Sequence, residues 1–371
     1  PISFTIGGLR TLHFLETLLV PLRVPSDTLP VADGKASRPA SDEPSEGENL
    51  MLPSKRWPRL ALLLTLSLVA TQIVAVSLSF ASGCERFVAT SGSNAATGSA
   101  ADPWGTLSHA VDNVPDDSCT VWVADGTYEG TVDIDRRFSS SLKVAAINRH
   151  GAVLEGAGLV VDIDGARNVT VDGFEVRHLP GGNGIVLNVS GSGSTFAEGI
   201  TLVNNIVHDS YDNDLIKINA GVRDTVVANT ITFNPGPREQ HYDINGVEDV
   251  TLRNNIMFND YNGSGRAVVD VKHFIIIKDS NSSGLDLHGS KRVSVDGNVF
   301  IGWENGGGEF MVKAGNDGKP YHEAIDIVVE NNLFLSNGPD TARAEFGGAG
   351  VKKLTFRNNT INLTTAANQG V

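Results

Sequence analysis

The stretch "DVTLRNNIMFND" at residues 249–260 returns along the chain with small changes. Variants are "GITLVNNIVHD" at 199–209, "DTVVANTITFN" at 224–234, "RVSVDGNVFIG" at 292–302, "DIVVENNLFLSN" at 326–337 and "KLTFRNNTINL" at 353–363. Asn205 and Asn255 are 50 residues apart with Thr230 halfway, and the later steps, to Asn298, Asn332 and Asn359, are 43, 34 and 27. Repeats of this size are units that cannot bury an apolar face alone and must stack on their neighbours. Inside each unit the apolar positions alternate, as in Val250, Leu252, Ile256 and Phe258, and a period of two means strand. A short strand, a bend and a second strand, stacked about 4.8 Å apart, make one coil of a parallel β-helix.

The Asn then has a physical task. Its amide tolerates a left-handed bend, and stacked Asn side chains can satisfy turn backbone groups buried between coils. Each unit also has a strand ahead of the Asn pair: "GIVLNV" (184–189), "LIKIN" (215–219), "HYDIN" (241–245), "FIIIKDS" (274–280), "FMVKAG" (310–315) and "ARAEFG" (342–347). Three strands per coil give a solenoid with three faces. The longer repeat steps place protruding loops at 260–273, 281–291 and 315–322, where binding specificity is commonly carried.

The front of the chain divides differently. Residues 1–50 include the polar stretch "VADGKASRPASDEPSEGENL" at 31–50, which has too little apolar surface to fold, and read as a disordered or artefactual leader. Residues 51–83 carry a Met, a basic start (Lys55, Arg56, Arg59), an apolar run at 60–80 and small residues before Cys84, the layout of a signal peptide or, read otherwise, a membrane anchor. A secreted or cell-surface location follows. With only two cysteines, Cys84 and Cys119, an exported chain invites one disulfide; "ASGC" also permits a lipidated Cys84.

Residues 1–83 hold seven Lys/Arg and seven Asp/Glu, so the whole formal charge of −14 lies beyond them. An acidic surface excludes nucleic acid as a partner, and leaves the membrane only through the signal or anchor segment. Residues 84–130 form a cap and first coil. A short helix at 106–114, started by Pro103-Trp104 and stopped near Pro115, would cover the open end of the stack formed by 131–371.

The run from "ADPWGTLSHAVDNV" to "VWVADGTYEG", followed by coils with "NN" turns, resembles secreted right-handed parallel β-helix proteins of the pectate-lyase-like superfamily. The resemblance spans residues 85–371. It implies an all-β, right-handed parallel β-helix with a short N-terminal capping helix, and a polysaccharide as partner. The superfamily includes lyases, hydrolases, epimerases and adhesin-like members, so the chemistry must come from the site.

Alternation sends Ile216 and Ile218 inward and Lys217 outward. Aligning the following strands by eye gives outward sets His241/Asp243/Asn245, Ile276/Lys278/Ser280 and Met311/Lys313/Gly315. The middle column then reads Lys217, Asp243, Lys278, Lys313, a mostly basic stripe on an acidic molecule. Such a stripe is either a self-neutralising surface ladder or a groove for an acidic polysaccharide. For β-elimination, a cation stabilises the enolate and a base removes the neighbouring proton. Lys278 and Lys217 are the candidate bases, by mutual lowering of their pKa, with His241 the alternative. Lys313, Asp243, Asn245 and Arg238 are candidate binding residues, with Glu239 beside Arg238. Asp209, Asp212 and Asp214 could hold Ca2+, or form an Asx-rich turn. Only fragments of polygalacturonase signatures occur, "DND" at 212–214 and "LHG" at 287–289, which sets a lyase ahead of a hydrolase. The competing class is a non-catalytic, adhesin-like surface module.

Overall fold

A computed structural model describes residues 83–280, 285, 289–302, 304, 310–315, 319–336 and 351–363. The leader, all of the export segment except Gly83, the strand expected at 342–347 and parts of the loops at 281–291 and 315–322 lie outside these residues. Among the described residues no helix is long and apolar enough to cross a membrane.

Among the described residues three parallel sheets form the walls of a right-handed β-helix, with eleven, nine and seven strands. The coil containing the opening motif shows the plan. Val247–Arg253 lies in the first wall, Ile256–Phe258 in the second and His273–Lys278 in the third, and Ser290–Asp296 begins the next coil in the first wall. Neighbouring coils pair in register, Val250 with Val293, Ile256 with Val299 and Ile244 with Ile277. One side chain in two turns inward, and Leu252, Val295, Met257, Phe300, Ile244 and Ile277 are buried in a continuous column of hydrocarbon. That burial of apolar area is the main stabilising term for the stack.

The Asn pair divides its work between two residues. Asn204, Asn229, Asn254, Asn331 and Asn358 take the left-handed bend, with φ between 52° and 58°, and Gly297 takes it where Asn is missing. The second residue of each pair, buried in all but the last pair, where Asn359 is half-buried, builds the ladder. Asn255 Nδ2 donates to Val227 O and to Asn298 Oδ1, Asn298 Nδ2 to Leu252 O and Asn332 Oδ1, and Asn332 Nδ2 to Val295 O and Asn359 Oδ1. Thr230 interrupts the column, because its hydroxyl reaches only Ala228 O in its own coil.

A second left-handed column runs through the first wall at Asn168, Gly199, Asp224, Asp249, Arg292, Asp326 and Lys353. Arg and Lys seldom adopt this conformation. Here they alternate with acids along the stack, and Arg292 grips Asp249 through Nε at 2.6 Å and Nη2 at 2.7 Å while Lys353 reaches Asp326 at 2.6 Å.

The N-terminal helix α1 is Leu107–Asn113. Thr106 caps it by accepting from His109 N, and Leu107, Ala110 and Val111 are buried against the first coil. Arg136 Nη1 donates to Val111 O, Asp112 O and Val114 O, closing the carbonyl end of the helix. Cys84 and Cys119 are register partners on adjacent strands and are joined by a disulfide, Cα atoms 4.4 Å apart.

Candidate functional site

The outer face of the third wall carries the stripe, in a register that differs from the column expected from the sequence. The column runs Asp133, Asp162, Asn188, Lys217, Asp243, Ile276, Lys313. Lys278 pairs with Asn245, two residues further along the strand. Loops of different length precede these strands, so nothing local in the sequence fixes their mutual offset. Lys278 nevertheless joins the cluster, because its stem spans the difference: Nζ lies 3.5 Å from Asp243 Oδ2, and Lys217 Nζ reaches the same oxygen at 2.9 Å.

Asp214 enters from the corner loop between the second and third walls, 3.6 Å from Lys217 Nζ. It is 1 % exposed and accepts from Gln240 N. Burial and the nearby Asp243 push its carboxyl up to about 8. Glu239, on the next corner loop and half-buried, is also raised, by burial and by Asp243 against the pull of Lys217.

Two expected bases fail on electrostatics and position. Burial pulls the Lys217 ammonium down, but Asp243 and Asp214 outweigh it, so its pKa stands above that of an ordinary lysine rather than below. His241 does not face outward. Strand alternation breaks where the chain turns into the third wall, and His241 is fully buried, with Nδ1 against Thr232 Oγ1 at 3.0 Å, Nε2 against Asn259 Oδ1 at 3.2 Å and its ring edge-on to Phe274. Burial drops its pKa to about 3, so it is neutral at any ordinary pH.

The other candidates have separate placements. Asn245 is buried, donating to Asn219 Oδ1 and accepting from Ser280 N and Oγ. Arg238 is exposed on the corner loop in a left-handed conformation, φ 64°. The three aspartates proposed for calcium do not converge. Asp209 is held by His208 Nδ1 at 2.7 Å and Arg266 Nη1 at 2.9 Å, Asp212 is exposed, and Asp214 sits with Lys217. Burial raises the Asp209 carboxyl, but its bonds to His208 and Arg266 hold it down at about 2. Among the described residues no group of three or more His, Cys, Asp or Glu side chains is placed to hold a metal ion.

Asn188 also belongs to the site, without a signal in its own strand to mark it. It is 9 % exposed and next to Lys217 in the column, and its Nδ2 donates to Asp162 Oδ1 at 2.9 Å and Ser190 Oγ at 3.1 Å. Among the described residues its Oδ1 has no hydrogen-bond partner, and neither has Asp243 Oδ1 on the other side of Lys217. Extending the strand alignment back through "VDID" at 161–164 would have placed Asn188 and Asp162 in line with Lys217.

The three parallel walls make the fold a right-handed parallel β-helix. Similar structures include a pectin methylesterase from Aspergillus niger (11% identity, TM-score 0.46, 78% of this chain and 92% of that one). Pectate lyase Pel9A is another (16%, 0.44, 77% and 78%), as is pectate lyase Bsp165PelA from Bacillus sp. N165, solved with trigalacturonate (14%, 0.47, 74% and 82%). No protein-family model and no curated protein sequence matches the chain.

Proposed function

We propose that the chain is an exported β-helix protein that binds an acidic extracellular polysaccharide across its third wall. The observation that carries this reading is the placement of Lys217 and Lys278 on one Asp243 oxygen, with Lys313 further along the same wall. Lys217, Lys278 and Lys313 bring three cationic side chains to this stretch of the wall. A cationic cluster attracts carboxylates, and a uronic acid polymer brings a carboxylate for the ammonium groups. The export pattern at 51–83 puts the protein where such polymers are found.

Binding without cleavage is the reading favoured by the two lost bases. β-Elimination would fall to Lys278 or Glu239, both beside Asp243. The test is calorimetric titration of the full chain with pectate, alginate and a neutral glucan, alongside the absorbance of unsaturated uronate products. Binding to an acidic polymer that weakens at least about tenfold in Lys217→Ala and Lys278→Ala supports the site. Equal affinity for the neutral glucan, or unchanged affinity in both variants, overturns it. Appearance of unsaturated product, lost in Lys278→Ala or Glu239→Gln, would make the protein a lyase.

A further inference from the structure

The third wall changes character along the solenoid axis. In its first two coils the outward positions are acidic: Asp133, then Asp162 and Asp164. In the next coil they are uncharged, Asn188 and Ser190, and only then come Lys217, Lys278 and Lys313, with Asp243 between the first two. Side-chain bonds tie the first half together. Ser190 Oγ donates to Asp164 Oδ1 at 3.0 Å, and the bond from Asn188 Nδ2 to Asp162 fixes the Asn188 amide. Burial and the charges of Asp164 and Asp133 raise the Asp162 carboxyl, although the bond from Asn188 opposes this. A second carboxylate brought to that point meets the same repulsion.

We infer that the wall selects a short acidic run, with carboxylates over Lys217, Lys278 and Lys313 and uncharged sugars continuing over Asn188 and Ser190. This rests on the polysaccharide-binding reading and adds a direction and a length to it. Coils are spaced about 4.8 Å apart, close to the advance of a linear pyranose chain per sugar. Lys217 to Lys313 is three coil steps, enough for a few charged sugars. Asp162 is two steps beyond Lys217, roughly 10 Å, within the range where charges still interact at low salt. The polymer class that fits is one in which acidic and uncharged sugars alternate or occur in short blocks. A uniform polyuronate lying toward the N-terminal coils is repelled.

The experiment titrates the full chain with a uronic acid trimer and the matching uniform hexamer at low ionic strength. Asp162→Asn combined with Asp164→Asn keeps the acceptor oxygens that Asn188 and Ser190 use. Asp133→Asn alters an exposed residue outside that bonding and provides an independent variant. The double variant is expected to bind the hexamer about fivefold more tightly than the unaltered chain does, by removal of two charges at these distances. Its trimer affinity should stay within about twofold, and the hexamer gain should vanish at high salt. Asp133→Asn should shift hexamer affinity in the same direction. Trimer binding with no hexamer gain in either variant, or an equal gain for trimer and hexamer, overturns this inference and leaves the lysine site standing. No trimer binding at all overturns both.

Discussion

Asn298 Oδ1 accepts two hydrogen bonds from Asn255 in the preceding coil, one from the backbone N at 2.9 Å and one from Nδ2 at 3.0 Å. Both residues are fully buried, so neither donor can turn to water. Asn298→Ala orphans the two donors and also leaves Leu252 O without Asn298 Nδ2. The expected cost is about 2–4 kcal/mol, read as a lower urea midpoint. A loss under about 0.5 kcal/mol would show that the ladder is not stabilising.

Thr230 offers the opposite experiment. It stands halfway between Asn205 and Asn255 in the ladder column, and its backbone N already donates to Asn255 Oδ1. Thr230→Asn supplies the missing amide and is expected to stabilise by about 1 kcal/mol, seen as a higher melting temperature. A lower one would mean that the coil closes too tightly there for the larger side chain.

Asp214 makes stability depend on pH. Its folded pKa is raised, up to about 8, against roughly 3.9 in an unfolded chain. Between these values the folded state holds a proton that the unfolded state has released, so stability falls as pH rises through the window. Asp214→Asn removes the dependence and can still accept from Gln240 N. Its melting temperature should match the unaltered chain near pH 4 and exceed it by several degrees at pH 8. Parallel curves over that range would contradict the assignment.

Arg136 holds three carbonyls at the end of α1. Arg136→Ala is expected to cost about 1–2 kcal/mol, somewhat less than full burial would give because the side chain is partly exposed. Amide exchange should speed up at 110–114 before it changes elsewhere. Uniform acceleration along the stack would instead mean that the cap and the coils unfold as one unit.

The Asn columns and the period-two strands made the solenoid legible, because each coil repeats the same local problem with the same residue types. The division of work between Asn254 and Asn255 was harder to read, since one residue type serves both a bend and a ladder. The first-wall bend at Arg292 and Lys353 left no trace, because neighbouring ion pairs impose a conformation that these residues do not favour alone. At the site, the lysines were visible but their offset was not: register between strands is set by the whole stack, and a two-residue slip keeps every side chain on the same face. His241 was misplaced because alternation stops at a corner. The direction of the Lys217 shift depends on Asp243 and, with it, on Asp214, which the sequence places in a turn with no hint that it points at an ammonium group.

The Asn column also has a sense of travel. Asn255, Asn298 and Asn332 each present their backbone N–H and amide donors to an oxygen supplied by the coil that is synthesised next. A coil emerging from the ribosome or a membrane pore therefore waits, incompletely bonded, until its successor arrives. Assembly of such a chain is naturally vectorial, with each turn locked by the one that follows.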